Sequence, residues 1–294
     1  MTVRHYVFIT LLFLTIGCPV TLDAQNTNQK KTKVFLLAGQ SNMDGRARAF
    51  NLTKDDKARI KKAQHNVTLY YNHQKPVPLQ ATKALPHIAR KFKSDSVFGP
   101  ELFFGVSLSE AYPTHKIILI KRSKGGMSLY GAWNPEWNAD KAELMNELKA
   151  PKLYADFIGY AKRVLAKLPP DSYELCGMLW VQGETDSNTK RFGDAPAEDY
   201  EENLQKLITG VRTEFSTPNL PFLIFQVGNG KVVDGMKHLA KKDDSISLIP
   251  QEPNESSKFY FKRNPDPIGH YVCESMKQIG VYFFEFYKNK YAEN

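Results

Sequence analysis

The sequence predicts an α/β three-layer sandwich, in which a parallel sheet of about five strands is covered by helices on both faces. Two observations lead there. Short apolar runs alternate along the chain with longer stretches whose apolar residues recur at helical spacing. Each of the first three runs is also followed at once by a polar, glycine-rich segment, as expected of loops at the carboxyl edge of a parallel sheet. With 294 residues, 42% of them hydrophobic and 24% charged, the chain can bury its own core without disulfides or metals.

The elements follow in order. Residues 1–24 read as a secretory signal: Arg4 and His5 open it, an apolar run extends from Tyr6 to Gly17, and the small Ala24 precedes Gln25. The run is too short to span a bilayer, so no stable membrane insertion is expected. Leu14-Thr15-Ile16-Gly17-Cys18 loosely resembles a bacterial lipobox, which leaves a lipid anchor on Cys18 as the weaker alternative to free export. Residues 25–294 contain no repeat or linker and read as a single domain.

Within that domain the first strand covers 34–38. A helix over 100–111 starts with Pro100 and Glu101, both suited to a first turn. The run KIILIK at 116–121 is the second strand. A helix over 154–168 carries Phe157, Ile158, Ala161, Val164 and Leu165 at helical spacing and ends at Pro169-Pro170. The third strand covers 175–181, a helix 197–215, the fourth strand 221–227, a fifth 245–249, and a last helix 271–287. Residues 42–95 and 125–150 read as long loops, which at that length usually carry function.

Composition narrows the partners. The net charge is +9, but the lysines are scattered and no nucleic-acid motif is present, so nucleic acid is not expected. A basic surface is ordinary for a soluble protein and also suits acidic polysaccharides. Beyond the leader only Cys176 and Cys273 remain; a disulfide and two buried thiols are both open. No CxxC or HExxH pair suggests a metal, and no cofactor is called for.

The chemistry gathers where the strands end. Gly39-Gln40-Ser41-Asn42-Met43-Asp44-Gly45 follows the first, Ser123-Lys124-Gly125-Gly126-Met127-Ser128 the second, and Gln182-Gly183-Glu184-Thr185-Asp186 the third. A serine just past a strand can open a short helix, whose free N–H groups favour developing negative charge. Position alone would equally suit a capping serine. Tyr130, Trp133 and Trp137 in the loop after the second strand are candidates for stacking on sugar rings or for packing that loop. Arg122 and Lys124 could meet an acidic sugar, or simply be solvated.

GQSNM after the first strand, GG after the second, WVQGETD around the third and a late His together resemble the block pattern of the SGNH-hydrolase superfamily, nearest to its sialate O-acetylesterases and acetyl xylan esterases. The resemblance covers most of the chain beyond the leader and implies a flavodoxin-like sandwich. It implies an exported carbohydrate O-acetylesterase acting on O-acetylated oligo- or polysaccharide without cofactor, by a Ser-His acyl-enzyme mechanism. Ser41 would be the nucleophile and His270, in a late loop, its base. The oxyanion would be held by the Ser41 N–H, an N–H of Gly125 or Gly126, and the Gln182 amide. The third member would be Glu184 or Asp266; the family's Asp stands three residues before the His, whereas Asp266 stands four before His270, which favours Glu184. Asp186 would brace its loop, Asn42 would fix the turn or touch substrate, and Trp133 and Trp137 would contact the sugar. The displaced Asp266 leaves a non-catalytic carbohydrate-binding protein as the alternative.

Overall fold

The computed structural model describes residues 1–2, 30–265 and 269–292. Residues 3–24 of the expected leader, Cys18 among them, and Asp266 lie outside those residues. The strands are β1 (Thr32–Gly39), β2 (Ala47–Arg48), β3 (Val67–Tyr71), β4 (Val77–Pro78), β5 (Thr82–Lys83), β6 (Ser96–Phe98), β7 (Ile117–Ser123), β8 (Tyr173–Val181), β9 (Phe222–Phe225) and β10 (Ile246–Ile249). The helices are α1 (Ser41–Asp44), α2 (Lys54–Ala63), α3 (Pro86–Phe92), α4 (Glu101–Ala111), α5 (Ala139–Leu144), α6 (Leu153–Leu165), α7 (Thr189–Phe192), α8 (Ala195–Glu198), α9 (Tyr200–Glu214), α10 (Lys231–Lys242) and α11 (Cys273–Tyr291).

The central sheet runs β10-β9-β8-β1-β7-β3-β4, parallel throughout except for the β3–β4 edge pair. It is an α/β sandwich with seven strands in its sheet rather than about five. The two additional strands come from the stretch read as loop. In β3 only Val67 and Leu69 are fully buried, so its apolar signal is thin, and β4 is two residues long. Helix α2 escaped for a related reason. It buries only Asp56, Ile60 and Ala63 and shows no apolar stripe, although its Thr53–Asp56 capping box is visible in the sequence.

The two faces of the sheet are covered differently. On β1, Phe35 points to one side and meets Phe104 of α4 and Tyr287 of α11 edge-on, both with ring centroids 5.0 Å away. Trp180 of β8 is level with Ala38 and so points to the other face, where its indole N–H donates to the Tyr200 hydroxyl of α9. There Trp133 packs on Trp180 and on Phe157 of α6, with centroids 5.3 and 6.1 Å apart. Trp133 is thus wholly buried in the core and cannot stack on a sugar, which corrects the expectation for that residue.

Successive strands are added first on one side of β1 and then on the other. Such a reversal leaves a crevice at the strands' carboxyl ends, and the polar, glycine-marked segments that follow β1, β7 and β8 emerge there. Cys176 and Cys273 are free and buried, and burial pushes their thiols up to about 12 and about 11. Among the described residues no helix is long and apolar enough to cross a membrane.

Candidate active site

Strand β1 ends at Gly39, whose φ of +149° and lack of a side chain are both required: a Cβ there would lie 2.1 Å from the Val181 carbonyl oxygen. This close approach swings the chain over the sheet edge, and Ser41 opens the four-residue helix α1. The turn is held from below by Asp44. Its Oδ1 accepts from the Tyr71 hydroxyl at 2.6 Å and the Ser123 hydroxyl at 3.0 Å, and its Oδ2 pairs with Arg46 at 2.7 Å. Burial would raise the Asp44 carboxyl, but Arg46, the Tyr71 hydroxyl and Lys121 together hold it below the usual carboxylate range. Lys121, itself wholly buried and paired with Glu101 at 2.8 Å, also donates to the Asp44 carbonyl at 3.2 Å.

His270 comes from the other end of the chain. Its Nε2 lies 2.9 Å from the Ser41 Oγ, across a separation of 229 residues. Its neighbour Tyr271 is wholly buried against Phe225 and Phe261, and the Tyr271 hydroxyl bonds to Gln251 and Arg263. The backbone N–H of Asn264 donates to the His270 carbonyl at 2.7 Å, closing the loop on itself. The imidazole is 8% exposed and meets the Phe92 ring edge-on, at 5.3 Å between centroids.

Gly125 approaches the nucleophile directly: a Cβ on it would lie 3.5 Å from that of Ser41 and 2.7 Å from Arg46 Nη2. Gly126, at φ +76°, follows on the rim of the same cleft. None of the backbone N–H groups of Ser41, Gly125 and Gly126 donates to another described residue.

Gln182 is differently placed. It is wholly buried beneath the cleft, and its amide nitrogen donates to Asp186, to the Met127 carbonyl at 3.2 Å and to Gln40 Oε1 at 3.3 Å. Its donors are engaged within the protein, which corrects its assignment to the oxyanion hole. Glu184 also departs from expectation. Its Oε1 accepts from the Asn42 side chain at 2.6 Å, and its buried Oε2 has no hydrogen-bond partner among the described residues. The carboxylate thus holds Asn42 rather than His270, and burial pushes it up. Trp137 does not line the cleft; the Lys152 ammonium sits 3.8 Å above its ring.

Asp186 ties its segment to the loop after β7, rather than bracing its own loop through local bonds alone. It accepts from the backbone N–H groups of Leu129 and Tyr130 at 3.0 and 2.9 Å, as well as from Gln182, and burial pushes it up to about 7. Glu147 has the same task nearby, receiving the N–H groups of Ser128 and Ala132 at 2.7 and 2.6 Å, and it too is raised by burial. Sequence reasoning passed over Glu147, Arg46, Phe92 and Arg263. Only Arg46 carried a signal, its place directly after the GQSNMDG segment.

The resulting cleft has a volume of about 600 Å³ and is lined by Ser41, Gly125, Gly126, Phe92, Arg263 and His270 among others. Among the described residues no group of three or more His, Cys, Asp or Glu side chains is arranged to hold a metal ion. The arrangement suits a hydroxyl nucleophile, an imidazole base and backbone donors for a tetrahedral oxyanion.

Comparison with known proteins bears on the fold and on the family. Among solved structures, one protein from Arabidopsis thaliana aligns with a TM-score of 0.59 at 18% identity, over 89% of this chain and 100% of that one. NanS aligns at 0.57 and 14% identity, over 89% of this chain and 98% of its own. A carbohydrate acetylesterase from Xanthomonas citri aligns at 0.56 and 17% identity, over 88% of this chain and 56% of its own. At these identities the likeness is one of fold. A search of the curated proteins found no match. The family described as carbohydrate esterase, sialic acid-specific acetylesterase matches residues 31–283; the chain belongs to that family, and is a carbohydrate esterase of the SGNH type that hydrolyses carboxylic esters.

Proposed function

We propose that the protein removes acetyl groups from O-acetylated sugars through an acetyl-enzyme on Ser41, with His270 as general base and then general acid. The reading rests on one observation above all, the 2.9 Å separation between Ser41 Oγ and His270 Nε2. That is hydrogen-bond distance, and a base must reach the proton it removes. Oγ attacks the ester carbonyl carbon while its proton passes to Nε2. The oxyanion is received by the N–H groups of Ser41 and of Gly125 or Gly126. The bond to the sugar oxygen then breaks, and that oxygen takes the proton back from Nε2. A water, deprotonated by the same nitrogen, attacks the acetyl carbon; the bond to Oγ breaks, Oγ takes the proton from Nε2, and acetate leaves. Asn42 is held by Glu184 and keeps the turn after the nucleophile in place. The leader at 1–24 supports export, and the uninterrupted sheet supports a single domain over 25–294.

The test is acetate release from acetylated oligosaccharides, with p-nitrophenyl acetate as a small reporter. Ser41→Ala is expected to lower kcat by roughly a thousandfold or more, with little effect on thermal stability. A loss below about tenfold would remove Ser41 from the chemistry. Binding of the sugar without turnover in the unaltered protein would favour the carbohydrate-binding alternative.

A further inference from the structure

A second cavity, of about 280 Å³, adjoins the catalytic cleft and shares Arg46, His87, Ile88 and Gly125 with it. Gly125 is the residue whose missing side chain leaves room beside Ser41, so the second space begins next to the nucleophile. It has room for one sugar unit. Its lining is cationic: Lys83, Arg122 and Lys124 join Arg46, and the one carboxylate in the wall, Asp44, is already paired with Arg46.

These cations are not all used by the fold. Arg46 is 6% exposed, and its Nη1 serves Asp44 and the Gly45 carbonyl at 2.7 and 2.6 Å. Arg122 is 7% exposed; its Nε meets Asp156 at 2.6 Å and its Nη1 meets Asn72 and the Ser123 carbonyl. Among the described residues, Nη2 of each arginine has no hydrogen-bond partner, and Lys83 and Lys124 have no ion pair. Largely buried guanidinium groups that keep a free N–H edge toward a cavity, with two unpaired ammonium groups at its mouth, form a receptor for an anion. The arginines are ion-paired with Asp44 and Asp156, but a hydroxyl-only sugar would leave the two lysines without a counter-charge.

We infer that the second cavity is a subsite for an anionic substituent, a carboxylate or a sulfate, on the sugar unit next to the one that carries the acetyl ester. The inference rests on Ser41 being the nucleophile, since it measures the neighbouring unit from that atom. It makes the preferred substrate an acidic oligosaccharide, gripped at one unit while the next is deacetylated.

Three acetylated tetramers test it: xylotetraose, xylotetraose carrying sulfate esters, and tetragalacturonate. The protein is expected to favour at least one charged tetramer over the neutral one by about tenfold in kcat/KM, and the better of the two identifies the group. Raising the salt to about 0.5 M should erase most of that preference, because exposed lysines are screened within a few ångströms there. In Lys83→Gln/Lys124→Gln the charged-to-neutral ratio should fall severalfold, while p-nitrophenyl acetate, too small to span both spaces, reports the catalytic centre separately. Calorimetry with unacetylated tetragalacturonate reads the subsite without turnover. Salt-sensitive binding with no ester turnover would overturn the nucleophile; turnover with equal kcat/KM for charged and neutral tetramers, or a ratio unmoved in the double variant, would overturn the subsite.

Discussion

At the scale of single residues, the cleft is supported by buried carboxylates in two states. Asp44 faces cations and is held ionised, whereas Asp186 faces neutral N–H donors in a desolvated site and is raised to about 7. The sign of the consequence follows from linkage. An unfolded Asp titrates near its ordinary value, so the advantage of the neutral Asp186 is complete below about pH 4 and is lost as pH rises through about 7. Asp186→Asn does not titrate, and it cannot accept from three donors at once. The variant is therefore expected to be less stable than the parent by about 1–3 kcal/mol or more at pH 4, with the gap narrowing toward pH 8. Urea unfolding at both pH values checks it; a gap independent of pH would show that Asp186 does not change charge in that range.

At the scale of elements, the packing of α11 on α4 turns on Gly280. A Cβ there would lie 2.5 Å from the Pro100 carbonyl oxygen and 2.9 Å from the Phe104 nitrogen. Both obstacles are backbone, so neither can swing away. Gly280→Ala gains helix propensity of about 1 kcal/mol but forces the helices apart, and a net loss of about 1–3 kcal/mol is expected. For a chain of this size that is a drop in Tm of several degrees in a calorimetric scan; an unchanged or raised Tm would mean the helices part easily. The same scale shows why reading elements from sequence succeeded unevenly. The central parts of β1, β7 and β8 are buried on both faces and stand out as short apolar runs. Strand β3 lies one place from the sheet edge with three of its five residues partly exposed, and α2 rests on the surface with three buried residues. Their stability comes from neighbours far away in sequence, which a local window does not see.

For the whole molecule, the Ser41–His270 contact joins the turn after the first strand to the loop before the last helix. Tyr271, next to His270, is packed into the cluster of Phe225 and Phe261, and Trp180 reports on the opposite face of the same sheet. If 25–294 is one cooperative unit, esterase activity and buried tryptophan emission should vanish at the same urea concentration. Activity lost well before the emission changes would mean that the His270 loop opens on its own.

What the amino-acid sequence determined by itself was the set of runs that must be buried and the polar, glycine-marked segments that follow them, because burial and backbone freedom are properties of a few adjacent residues. That was enough for the fold class and for proposing Ser41, His270 and Gly125 as neighbours in one site. The partners of those groups were decided by the tertiary structure alone. Whether Gln182 faces a ligand or Asp186, whether Glu184 holds His270 or Asn42, and whether Trp133 meets solvent or Trp180 depends on what lies opposite once the sheet has closed. Hydrogen bonds and side-chain packing act over a few ångströms, and no spacing along a chain encodes which distant residue will arrive within that range.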